Sequence, residues 1–302
     1  MRGRVVISEF MDAPAVASLA ARHDVDYRPR LVDEASALAA ALPGAAAWIV
    51  RNRTQVRGSL LEAARDVRVI GRLGVGLDNI DVEACAARGI EVIPATGANA
   101  ESVAEYVVCA AMVLLRGAFF STRAVEAGTW PRQTLSQGRE AAGKVMGIVG
   151  YGNIGRLTAR KAEALGMTVM SYDSVAADAS TQDLELLLRE SDVVSLHIPL
   201  DSRTRGLLDA RRLGLMKRNA VLINTARGGI VDEAALASML REGRLGGAAL
   251  DVFDQEPLPA GSPLSGAPRL ILTPHIAGVT LEANERVSAL IADRVAKALD
   301  NL

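Results

Sequence analysis

The sequence predicts an α/β protein made of two doubly wound parallel-sheet domains. Three observations carry that prediction. Short apolar runs alternate with helix-patterned segments, the signature of parallel sheets with crossover helices. The alternation breaks near Asn99 and restarts at Lys144, so two such sets exist. The 302 residues, at roughly 100–200 per domain, suffice for two cores.

Val5-Val6-Ile7 reads as the first strand, with residues 15–22 as the helix behind it. Trp48-Ile49-Val50, Val69-Ile70 and Glu91-Val92-Ile93 are further strands. Residues 81–88 form a short helix that Gly89 can end in the left-handed conformation. Asn99 can N-cap residues 100–116, a long run free of Gly and Pro, where Glu101 suits the helix dipole. Residues 128–132, Gly-Thr-Trp-Pro-Arg, read as an exposed irregular arm. From Lys144, strands are expected at 145–149, 168–172, 193–196, 220–224, 248–252 and 270–272, with helices at 154–165 and 184–189. A last helix, 281–299, is long enough to return to the first domain. The expected domains are therefore 1–97 with 281–302, and 98–280.

Composition excludes several classes. Hydrophobic residues make up 50% of the chain and charged ones 23%, which rules out a disordered chain. Cys85 and Cys109 cannot build a disulfide scaffold, and with only His23, His197 and His275 no metal site is expected. The 34 Lys and Arg balance 35 Asp and Glu, which argues against nucleic acid or a membrane surface as partner. The N-terminal apolar run stops at Ser8 and nothing approaches the ~20 apolar residues of a span, so a soluble cytoplasmic protein is expected. His23 reads as a surface residue.

The strand at 145–149 runs into Gly150-Tyr-Gly152-Asn153-Ile154-Gly155, a G-x-G-x-x-G between a strand and a helix. Gly150 permits the tight turn, Gly152 lets backbone approach a pyrophosphate, and Gly155 lets helix and strand pack closely. The helix N-terminus offers free N–H groups to phosphates. Asp173 ends the next strand, about 20 residues on, where a carboxylate accepts from adenosine ribose hydroxyls and repels a 2′-phosphate. The cofactor expected is NAD, on a Rossmann domain.

Three later segments each follow a strand of this half: Asn224-Thr-Ala-Arg227-Gly-Gly-Ile-Val-Asp232, Leu250-Asp251-Val-Phe-Asp-Gln-Glu256-Pro, and Thr273-Pro-His275-Ile-Ala-Gly278. Carboxyl ends of strands line the ligand crevice of open α/β sheets. With the glycine loop, these segments resemble the D-isomer-specific 2-hydroxyacid dehydrogenase family over nearly the whole chain. Gly71-Arg72-Leu-Gly-Val75-Gly76 looks like the family's substrate loop. That segment and the Arg-Gly-Gly-Ile-Val-Asp block most resemble 3-phosphoglycerate dehydrogenases; Arg51-Asn52-Arg53-Thr, Gly71-Arg72-Leu-Gly-Val75-Gly76 and Pro94-Ala-Thr-Gly look closer still to the sulfolactate dehydrogenase branch.

The resemblance implies a flavodoxin-like substrate domain and a dehydrogenase. Oxidising a 2-hydroxy acid removes the hydroxyl proton as hydride leaves carbon for NAD. His275 is the candidate base, Glu256 the group that orients it, and Arg227 the bidentate partner of the substrate carboxylate. Backbone N–H groups of Val75 and Gly76 complete the carboxylate site. The resemblance extends the cofactor set to Asn153, Ile154, His197, Pro199, Thr204, Thr225, Ala226, Asp251 (on the nicotinamide amide) and Gly278. Arg51, Arg53 and Arg72, with Asn52, suggest a second anionic group on the substrate. Arg132 resembles a position that reaches a neighbouring subunit, so a homodimer is expected.

The sequence departs from the family at Asn153, where many relatives have arginine, and in the short stretch 174–182, which suggests a more open adenine pocket. It ends at Leu302, without room for a serine-sensing C-terminal domain. The expected substrate is a D-2-hydroxy acid resembling 3-phosphoglycerate. The alternatives are 3-sulfolactate and, from another class, an NAD-sensing corepressor-like binding protein.

Overall fold

A computed structural model describes residues 2–302. The chain divides into two compact units, Met1–Asn99 with Val279–Leu302, and Ala100–Gly278.

The first unit runs β1 (Arg4–Ile7), α1 (Ala13–Arg22), β2 (Asp24–Tyr27), α2 (Ala35–Ala41), β3 (Ala47–Val50), α3 (Gly58–Ala63), β4 (Val69–Arg72), α4 (Val82–Ala87) and β5 (Glu91–Pro94). Its strands are all parallel, in the flavodoxin-like order β2-β1-β3-β4-β5. Alternate strand residues feed two cores, as a sheet covered on both faces requires: Val6, Trp48, Val50 and Ile70 on one side, Val5, Ile7, Ile49 and Val69 on the other. As expected, Gly89 ends α4 at a φ of 67°. β2, α2 and α3 go beyond the sequence expectation.

The second unit runs α5 (Ala100–Arg116), the short helices α6 (Thr122–Glu126) and α7 (Arg132–Leu135), β6 (Val145–Val149), α8 (Asn153–Ala164), β7 (Thr168–Tyr172), α9 (Leu184–Glu190), β8 (Val193–Leu196), α10 (Ala210–Leu213), β9 (Val221–Asn224), α11 (Glu233–Arg241), β10 (Gly247–Leu250) and β11 (Leu270–Leu272). All six strands are parallel, in the order β11-β10-β9-β8-β6-β7. The order reverses at β6, so the switch point lies at the glycine loop. Residues 127–131 connect α6 to α7, with Trp130 76% exposed, and Arg132 opens α7 rather than ending an irregular arm.

The chain ends with α12 (Leu281–Asp300), which packs on the first unit's sheet through Val287, Ile291 and Val295. Gly71 admits it: a Cβ there would fall 2.8 Å from both Ile291 and Val295 methyl carbons. No single helix among the described residues is long and apolar enough to cross a membrane.

Two local expectations are corrected. Asn99 Oδ1 is buried without a hydrogen-bond partner among the described residues, so it does not cap α5. His23, at the C-cap of α1, is buried at 3% exposure rather than on the surface. Its Nε2 stands 4.0 Å from Asp300 Oδ1, and burial lowers its pKa despite that carboxylate.

Candidate active site

Register places the second unit's expected site residues along one edge. Val149 pairs with Tyr172 and Leu196, Leu196 with Asn224, Asn224 with Leu250, and Leu250 with Leu272. Gly150, Asp173, His197, Thr225 and Asp251 are therefore the first residues beyond the carboxyl ends of five parallel strands, and Thr273 opens the His275 loop beyond the sixth.

The glycine loop fits a dinucleotide. Gly150 has a φ of 100° and a Cβ there would lie 2.5 Å from His197 O, so no other residue fits the turn. A Cβ on Gly155 would lie 2.1 Å from Gly150 O, whereas one on Gly152 would meet nothing within 4 Å, which leaves open space over that peptide. Gly152 caps α8 without any side-chain hydrogen bond among the described residues, which leaves first-turn N–H groups for a ligand. Asn153 and Ile154 open this helix, Asn153 exposed. Thr225 Oγ1 is buried with no partner among the described residues, as a ligand-binding hydroxyl would be.

Asp173 is tied to the loop. Its carboxylate accepts from Tyr151 N (2.6 Å), Val175 N (2.7 Å) and Ala176 N (3.0 Å). Burial opposes its ionisation, but these N–H groups and the Arg156 charge outweigh it, so its pKa is lowered and the group stays anionic. His197 Nε2 meets Ser195 Oγ at 3.0 Å, and burial pushes its pKa down to about 4, which keeps the ring neutral. Thr204 Oγ1 donates to Pro199 O at 2.6 Å and accepts from Asp201 N, so it closes its own turn.

The expected catalytic residues stand on three adjacent loops. His275 Nδ1 meets Glu256 Oε2 at 2.8 Å, while Glu256 Oε1 accepts from Phe253 N at 3.1 Å. The glutamate thus holds both the ring and its own turn. With Nδ1–H directed at a carboxylate, Nε2 carries the free lone pair that a proton acceptor needs. The Arg227 loop packs on the Glu256 turn at Gly228, where a Cβ would fall 1.8 Å from Phe253 O. Asn224 Nδ2 donates to Arg227 O at 2.9 Å and Arg227 Nη1 to Ala226 O at 2.6 Å.

Asp251, expected to touch the nicotinamide amide, has its carboxylate engaged by the His275 loop. It is 1% exposed and accepts from Thr273 Oγ1 (2.6 Å), Ile276 N (2.8 Å) and Ala277 N (2.8 Å), and its own carbonyl accepts from His275 N (2.8 Å). Tyr106 of α5 closes the network, its hydroxyl 2.6 Å from Thr273 Oγ1. His275 itself has a φ of 55°, a strained conformation for a side-chain-bearing residue that persists only when neighbours fix it. Gly278 follows, half-buried.

In the first unit, Arg51 and Arg72 stand at the carboxyl ends of β3 and β4. Glu9, 3% exposed, holds the loop after β3, accepting from Arg51 N (2.8 Å), Thr54 N (3.0 Å) and Arg53 N (3.2 Å). Asn79 fastens the same loop, donating to Arg51 O and Thr54 O. Arg53 is 61% exposed and paired with Asp33 at 2.6 Å, while Asn52 is exposed. Arg72 Nη1 donates to Leu73 O at 3.0 Å, close over Gly74, where a Cβ would come within 1.6 Å of that nitrogen. Backbone N–H groups of Val75 and Gly76 have no partner among the described residues. Arg132 is exposed on α7.

Sequence reasoning missed Glu9, Asn79, Tyr106 and the loop-holding partners of Asp251. Only Glu9 left a signal, an acidic residue two positions beyond the end of a strand.

Residues 108–277 match the family described as D-isomer specific 2-hydroxyacid dehydrogenase, NAD binding domain. The chain is 53% identical to the (S)-sulfolactate dehydrogenase of Chromohalobacter salexigens, over 98% of both proteins. It is 38% identical to the D-3-phosphoglycerate dehydrogenase of Methanocaldococcus jannaschii, over 83% of this chain but 49% of that one. Among solved structures, the TT0316 protein of Thermus thermophilus superposes with a TM-score of 0.90 at 34% identity, covering 99% of this chain and 97% of that one. The chain belongs to the D-isomer specific 2-hydroxyacid dehydrogenases.

Proposed function

We propose that the chain uses NAD to interconvert D-configured 3-sulfolactate and 3-sulfopyruvate. The observation that carries the substrate is the charge balance of the first unit's arginine loop. A sulfonate carries one negative charge, against about −1.5 to −2 for a phosphate monoester at pH 7. Arg53 is already neutralised by Asp33, so the loop offers less positive charge than its sequence suggests, which suits the sulfonate better. The full-length similarity to a sulfolactate dehydrogenase supports the same choice over phosphoglycerate. The descriptors agree as well. Sulfur outranks the carboxyl carbon's oxygens in priority, so the arrangement called (R) in D-lactate is called (S) in sulfolactate.

Asp173 supports NAD over NADP, because its anionic carboxylate beside the glycine loop repels a 2′-phosphate. When bound there, NAD supplies the hydride acceptor at its nicotinamide. His275 Nε2 takes the C2 hydroxyl proton in oxidation and returns it in reduction. Glu256 keeps the ring in the required tautomer and stabilises the imidazolium. Arg227 and the N–H groups of Val75 and Gly76 hold the substrate carboxylate; Arg51, Asn52 and Arg72 take the sulfonate. The exposed Phe119, Trp130 and Arg132 support a homodimer.

Parallel NADH oxidation with 3-sulfopyruvate and 3-phosphohydroxypyruvate tests the substrate. A kcat/KM at least about tenfold higher for the sulfonate is expected, a difference of about 1.4 kcal/mol. Preference for the phosphate compound overturns the proposal.

A further inference from the structure

Arg51 is held on three sides. Its backbone N–H donates to Glu9 Oε1 at 2.8 Å, its guanidinium carbon lies 5.9 Å from the centre of the Phe10 ring, and Nη2 donates to Asn284 Oδ1 at 2.6 Å. A guanidinium only donates, so the Asn284 atom facing it is the oxygen. The amide NH2 of Asn284 then has no partner among the described residues.

This cation is not neutralised. No carboxylate among the described residues forms an ion pair with Arg51, whereas Arg53, two residues on, has Asp33 at 2.6 Å. The Glu9 carboxylate is occupied by three backbone N–H groups. Burial lowers the Arg51 pKa, with Glu9's charge opposing the shift. A half-buried charge with only a neutral partner is costly until an anion completes it. Asn284 stands in the first turn of α12, whose cap is Thr280 Oγ1 accepting from Ala283 N at 3.1 Å, so the helix dipole adds positive potential at the same place.

We propose that Asn284 is a specificity-determining residue, forming with Arg51 the seat for the substrate's sulfonate. Its oxygen orients the guanidinium, its NH2 donates to the sulfonate, and its neutrality leaves the Arg51 charge available. This rests on the substrate reading above.

Asn284→Asp tests it, because it keeps the side-chain shape and adds a charge that neutralises Arg51. An acidic residue near a helix N-terminus also favours α12. The quantity to measure is the ratio of kcat/KM for 3-sulfopyruvate to that for pyruvate, with NADH. In Asn284→Asp this ratio is expected to fall at least about tenfold, mostly through KM for 3-sulfopyruvate, as loss of a charge-assisted contact predicts. Asn284→Ala adds no charge, so its ratio falls by less. If Asn284→Asp does not fold, an unchanged ratio in Asn284→Ala overturns the seat. A wild type that prefers 3-sulfopyruvate and an Asn284→Asp variant that keeps the preference overturn the seat alone. Wild-type turnover of pyruvate but not 3-sulfopyruvate overturns the substrate reading and the seat with it.

Discussion

Replacing His275 with alanine is expected to lower kcat by about 10²- to 10⁴-fold, the contribution a positioned general acid–base group makes. NADH affinity is expected to stay within about twofold, because among the described residues the ring's only polar partner is Glu256 Oε2 and, Gly278 aside, the cofactor contacts assigned above lie on other loops. The imidazole is 42% exposed and the Glu256 carboxylate 38%, so removing the ring leaves the carboxylate in contact with water and the fold intact. Steady-state NADH oxidation and a fluorescence titration of NADH measure the two quantities. A variant that keeps kcat within about tenfold of the wild type shows that the proton goes elsewhere. The same pair of measurements separates a dehydrogenase from a cofactor-sensing protein, which would bind NADH and turn over nothing in either form.

Asp251→Asn is expected to have the second largest effect, and on stability as well as rate. The carboxylate accepts two backbone N–H groups and one hydroxyl while 1% exposed. An amide can accept at only one of its two heavy atoms, so at least one N–H of the His275 loop would face a donor. Losing charge-assisted bonds of about 1.5–3 kcal/mol each should destabilise the second unit by about 3 kcal/mol, lowering Tm by roughly 6–12 °C. The strained φ of 55° at His275 then loses its restraint, and kcat is expected to fall about 10²-fold by misplacement of the base. Thermal unfolding and initial rates follow the two effects. An unchanged Tm with weakened NADH binding would instead mean that Asp251 serves the cofactor directly.

The elements legible in the sequence were those that tertiary structure forces into one residue pattern. Central strands such as β3 and β8 are buried along their whole length, so Ala-Trp-Ile-Val and Val-Val-Ser-Leu stand out as apolar runs. The strand β2, Asp-Val-Asp-Tyr, lies at the sheet's edge and is partly exposed, so its composition says little. The helix α2 is mostly alanine, which fits a helix but marks no boundary. The glycine loop was legible because Gly150 and Gly155 each stand where a Cβ would strike backbone. The Glu256–His275 pair joins segments close in the chain. Arg51 and Asn284, in contrast, lie 233 residues apart, and Tyr106 meets Thr273 across 167. Only folding brings such partners together, and no local pattern announces them.

The most direct measurement supplies NAD and each enantiomer of 3-sulfolactate separately and follows NADH formation. NADH from the (S) enantiomer, favoured at least about tenfold in kcat/KM over (R), is the result the proposed function predicts. NADH from neither enantiomer, or preferentially from (R), contradicts it.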